Sequence, residues 1–80
     1  MKRLEYWIDK LAERIKELDP ESRIRVTKDT YEGEDAYIFV QSKLSGMFIM
    51  RQLTDLQGEA ILEDCFIPVL PEPGNKKNYK

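Results

Sequence analysis

The hydrophobic period changes once, at Pro20, and that change restricts the chain to folds that join a helix to a sheet. Before it, Leu4, Trp7, Ile8, Leu11, Ile15 and Leu18 recur every three or four residues, a spacing that gathers side chains on one stripe of an α-helix. Glu5, Asp9, Glu13 and Glu17 form a ladder of like charges on the opposite side, either a solvated face or a seat for a basic partner. Pro20 disfavours helical geometry at Asp19, so the spacing predicts a helix over 3–18. After it, Arg23-Ile24-Arg25-Val26-Thr27-Lys28 alternates apolar and polar residues as a strand does. Ala36-Tyr37-Ile38-Phe39-Val40-Gln41 is β-branched and aromatic, which also favours a strand. The intervening Tyr31-Glu32-Gly33-Glu34-Asp35 is polar and centred on glycine, so the two segments read as a hairpin. The expected register turns Ile24, Val26, Ile38 and Val40 toward the helix, and Arg23, Arg25, Thr27, Tyr37 and Phe39 away from it.

Beyond the hairpin the period is ambiguous. The segment 47–53 fits a strand or a short helix. A strand is favoured because Asp55-Leu56-Gln57-Gly58 places Asp and Gly at the first and fourth positions of a type I turn. Ala60-Ile61-Leu62 and Cys65-Phe66-Ile67, which follow, are strand-like. The helix alternative begins at Ser45 and stops at Gly58. Pro68 cannot donate to a ladder, so the last strand is expected to end there or to lie at an edge, and Pro71-Glu72-Pro73-Gly74 to stop regular structure. The expectation is one α+β domain over 1–70, in the order α-β-β-β-β: an N-terminal amphipathic helix packed on one face of a mainly antiparallel sheet of about four strands. Residues 71–80 are expected to form a flexible basic tail.

Composition narrows the function. The chain is 41% hydrophobic and 35% charged, too apolar for disorder, and no apolar run approaches the roughly 18 residues of a membrane span. Glu5 and Asp9 interrupt any apolar leader, and the single cysteine cannot staple the chain to itself. A cytoplasmic location is therefore expected. A body without Asn or His, rich in Glu, Lys and Arg, resembles thermophile compositions. Without histidine there is no Ser-His or Cys-His pair. The four glycines fit neither a phosphate loop nor a dinucleotide fingerprint. Glu63 and Asp64 beside Cys65 disfavour a thiolate. No catalytic residue, cofactor or resident metal is expected, and the chain does not read as an enzyme.

Two groups of residues remain as candidates. Asp29, Glu32, Glu34 and Asp35 offer carboxylates to Ca²⁺, although their spacing is not that of an EF-hand and a solvated loop accounts for them. Arg23, Arg25, Tyr37 and Phe39 share the outer face of the hairpin, and Lys76, Lys77, Tyr79 and Lys80 could add contacts from the tail. Exposed aromatics beside arginines suit a protein contact or base stacking. Residues 1–70 carry ten Lys/Arg against fourteen Asp/Glu, and an acidic body does not draw phosphate from a distance. The expected function is a small non-enzymatic binding or assembly module acting through protein–protein contacts. Its partner is another protein or a second copy, the latter as a homodimer through the outer sheet face. The alternative is a nucleic-acid-binding domain using the aromatic-basic sheet face and the lysine tail.

Overall fold

Helix α1 spans Leu4–Leu18 and buries Trp7, Ile8, Leu11 and Ile15, four members of the predicted stripe. The computed structural model describes residues 3–30 and 32–72. Asp19 turns to extended geometry and its N–H donates to the Ile15 carbonyl at 2.9 Å, closing the helix before Pro20. Strand β1 (Arg23–Thr27) then pairs antiparallel with β2 (Tyr37–Gln41). Ile24 lies opposite Val40 and Val26 opposite Ile38, the register that the alternation predicts. Ile38 and Val40 are buried, but Val26 remains 40% exposed at the end of the edge strand.

The strand expected over 47–53 is a helix. Helix α2 runs Gly46–Leu62, with Ser45 as its N-cap accepting the Phe48 N–H at 3.0 Å. The reason is a second helical stripe: Ile49, Leu53, Leu56 and Ala60, spaced by four, three and four, pack into the core. Asp55-Leu56-Gln57-Gly58 lies inside the helix instead of forming a turn, and Gly58 does not stop it. The stop comes later, where Cys65 N–H bonds the Ala60 carbonyl and Asp64 N–H bonds the Ile61 carbonyl, both at 2.9 Å. That pair of bonds is a Schellman closure. Its left-handed residue is Asp64, with φ 62°.

Residues 60–62 are therefore helical, and Cys65, Phe66 and Ile67 belong to neither a helix nor a strand. Strand β3, Val69–Pro71, begins after Pro68 rather than ending at it. It pairs parallel to β2, with Val69 beside Ile38 and Leu70 beside Phe39. Pro68 serves as an acceptor for Ile38 N–H at 3.0 Å, and Glu72 N–H donates to Val40 at 2.9 Å. Strand alternation then turns the Pro71 nitrogen to the open edge, where no donor is required.

The architecture is α+β, in the order α1-β1-β2-α2-β3, with a mixed three-stranded sheet ordered β1-β2-β3. The expected sheet of about four mainly antiparallel strands is thus one strand smaller, with a parallel pair. Parallel neighbours need a long crossover, and α2 provides it. Both helices contribute to one core with Ile38, Val40, Ile67 and Val69, so the second face of the sheet receives neither helix.

Candidate interaction surfaces

On that second face, Arg25 stands opposite Phe39, which neighbours Leu70 on β3. The Arg25 guanidinium lies 4.5 Å from the Phe39 ring centroid and donates to the Glu72 carboxylate at 3.3 and 3.1 Å. Tyr37 packs its ring 5.9 Å from that of Phe39 and is buried, while Phe39 is half-buried. Arg23 is exposed and shares a polar hollow with Asp19, Glu21, Gln41, Ser42 and Lys43. The four predicted surface residues therefore sit on one side of the sheet, with Arg25 and Tyr37 engaged within the chain. The tail candidates Lys76, Lys77, Tyr79 and Lys80 lie outside the described residues, as does most of the segment expected to be flexible.

The acidic loop does not converge on a point. Asp35 exchanges two bonds with Phe66: its N–H donates to the Phe66 carbonyl, and its carboxylate accepts the Phe66 N–H, both at 2.8 Å. Glu34 accepts Glu32 N–H at 2.9 Å, and Asp29 N–H donates to the Thr27 hydroxyl at 3.1 Å. These bonds shape the loop and tie it to the chain after α2. Among the described residues, no group of three or more His, Cys, Asp or Glu is placed to hold a metal ion.

Two further carboxylates are held by dedicated donors. Glu63 receives Arg3 Nε at 3.0 Å and Nη2 at 2.6 Å, and Trp7 Nε1 at 2.9 Å. The Arg3 and Trp7 bonds stabilise its anion and lower its pKa from 4.5 to about 2, far from the range useful for acid–base catalysis near neutrality. The same carboxylate raises the Arg3 pKa. Arg3 also covers the Tyr6 ring at 4.2 Å, and Tyr6 meets Trp7 edge-on at 5.0 Å. Asp19 is buried; it accepts the Ser42 hydroxyl at 2.5 Å and the Glu21 N–H at 3.1 Å. The Ser42 bond leads the effects that lower its pKa. Ser42 in turn accepts Leu44 N–H at 3.0 Å, linking the end of α1 to the approach to α2. These are fastenings between elements. Cys65 is fully buried.

The most exposed apolar surface lies on α2, which the alternation-based reading missed. Met47 is 67% exposed, Met50 43%, Ile61 53% and Leu62 85%. Met47, Thr54, Gly58 and Ile61 recur at helical spacing on the side away from Ile49, Leu53 and Ala60, with Met50 at the edge nearer the core and Leu62 at the edge shared with Arg51 and Asp55. A small groove lined by Leu44, Ile49, Met50, Val69, Leu70 and Pro71, about 50 Å³ in volume, adjoins the stripe. The spacing 47, 50, 54, 58, 61 was present in the sequence as a second stripe. Among the described residues no helix is long and apolar enough to cross a membrane. No protein-family model, curated protein or solved structure matches the chain.

Proposed function

We propose that the chain is a small non-enzymatic binding or assembly module that works through protein–protein contacts. The observation that carries this reading is the outward side of α2, where Met47, Met50, Ile61 and Leu62 are exposed on a helix whose inner stripe already fills the core. Exposed apolar side chains gathered along one side of a helix mark contact sites, and an amphipathic helix face is a common recognition element. The nucleic-acid alternative has less support, because Arg25 on the sheet face is already held by Glu72.

A photo-crosslinking residue at position 47, with position 13 on α1 as control, tests the proposal in a nuclease-treated lysate and in the purified protein. The expected result is protein adducts from position 47, absent at position 13 and abolished by Ile61→Glu. Equal yields at the two positions, or adducts to nucleic acid in the untreated lysate alone, would overturn it.

A further inference from the structure

We infer that the outward face of α2 is a self-docking surface, on which a second copy of this chain lays its own α2 antiparallel about a twofold axis near Thr54. This rests on the protein-contact reading and names the partner. An isologous contact requires a patch complementary to itself, and the α2 stripe meets that requirement in shape and in charge.

With Thr54 at the axis, Met47 comes level with the partner's Ile61, and Met50 with the partner's Gly58. A Cβ built on Gly58 meets nothing within 4 Å, so the long Met50 side chain has open space to enter where the partner's glycine leaves the helix surface bare. Methionine suits such a contact because its unbranched thioether adapts to irregular gaps.

The charges agree with this arrangement. Arg51 and Asp55 border the stripe one helical turn apart on the same flank. Arg51 is exposed and makes no ion pair or hydrogen bond among the described residues. Among the described residues the Asp55 carboxylate accepts only the neighbouring Leu56 N–H, at 3.0 Å. A twofold axis across an antiparallel helix pair sets each flank against the same flank of its copy. Arg51 then meets the partner's Asp55, and Asp55 meets the partner's Arg51.

Self-pairing elsewhere lacks this complementarity. An antiparallel β1–β1 edge pair would crowd Arg23 and Arg25 of both copies onto one face as like charges. The outer sheet face has Arg25 committed to Glu72.

The area is adequate for a reversible contact. Taking roughly 150–200 Å² for each fully exposed large side chain, Met47, Met50, Ile61 and Leu62 present roughly 370–500 Å² per copy, so a dimer removes somewhat less than about 1,000 Å², the size of a weak, transient contact.

Charge reversal decides the matter, because Arg51 and Asp55 are exposed and their substitution does not touch the core. In sedimentation equilibrium, the wild type is expected to dimerise at on the order of 100 µM. Arg51→Asp alone and Asp55→Arg alone each set like charges across the axis and should weaken the dimer by about tenfold or more. An equimolar mixture of the two variants restores both opposite-charge pairs and should recover a heterodimer. Ile61→Glu should give a monomer with unchanged far-ultraviolet circular dichroism. A wild type that stays monomeric at about 1 mM, reversals that leave the dimer intact, or a mixture that fails to recover would each overturn self-docking. If the purified chain is monomeric while position 47 still crosslinks to another protein, self-docking fails and the broader protein-contact reading stands.

Discussion

The indole N–H of Trp7 donates to Glu63 Oε1 at 2.9 Å, tying the first turns of α1 to the residue that caps the far end of α2. The two residues are 56 positions apart in the chain. With Arg3 on the other side of the carboxylate, the bond makes Glu63 a junction whose strength depends on its charge. The Glu63 pKa in the fold is about 2, against an ordinary 4.5. A depressed carboxylate stabilises the fold fully above its unfolded pKa and loses that contribution as pH falls through the folded one. Glu63→Gln should therefore be less stable than wild type near neutrality, and the difference should shrink between pH 4.5 and pH 2. Urea midpoints at pH 7, 4 and 2.5 measure it, and a difference that does not vary with pH would count against the charge as the cause.

Trp7 also anchors the core. It is 4% exposed, and truncating a buried Trp costs about 3–5 kcal/mol. Small domains have about 5–15 kcal/mol in total, so Trp7→Ala should unfold the chain or leave it marginal. Thermal melting followed by circular dichroism gives the result. A folded variant with nearly the wild-type midpoint would contradict the packing of α1.

Gly58 sits inside α2 with open space where a side chain would begin. Glycine in a helix interior costs about 0.5–1 kcal/mol relative to alanine. Gly58→Ala should raise the melting midpoint of the monomer by several degrees in a domain of this size. A fall in midpoint at low protein concentration would show that the position tolerates no methyl group.

Asp64 presents the converse case. It occupies the left-handed position that closes α2, φ 62°, where glycine carries no steric penalty and other residues lose about 1–2 kcal/mol, Asp somewhat less. Asp64→Gly should stabilise the fold by about 0.5–1 kcal/mol, read as a higher urea midpoint at unchanged slope. Destabilisation instead would mean that the Asp64 side chain contributes more than its backbone costs.

Those two positions explain where sequence reading succeeded and where it failed. Helix α1 was legible because one face is apolar and the other charged, and the β1–β2 register was legible because Ile24, Val26, Ile38 and Val40 alternate cleanly with polar or aromatic neighbours. Helix α2 was legible only as the less favoured alternative that begins at Ser45, because apolar residues lie on two of its sides: Ile49, Leu53 and Ala60 inside, Met47, Met50, Ile61 and Leu62 outside. A helix apolar on both faces loses the contrast on which periodicity depends. The punctuation misled as well, since the expected terminator, Gly58, is internal and the actual one is an aspartate. With α2 hidden, the crossover that makes β3 parallel was hidden too. The sheet-face candidates Arg23, Arg25, Tyr37 and Phe39 were placed on a common face from alternation alone, but the Arg25–Glu72 pair that occupies part of that face joins residues 47 apart and has no local signature.

The parallel placement of β3 also orders events in time. Pairing β1 with β2 closes a short loop, whereas pairing β3 with β2 closes a segment that includes all of α2 and costs more chain entropy, so the β1 edge is expected to pair first. During that interval the β2 backbone presents an unpaired edge flanked by Tyr37, Ile38 and Phe39, a template for any passing strand. A stronger α2, capped at Ser45, is expected to shorten that interval. Weakening that cap would cost more in soluble yield during refolding than in the stability of the finished fold.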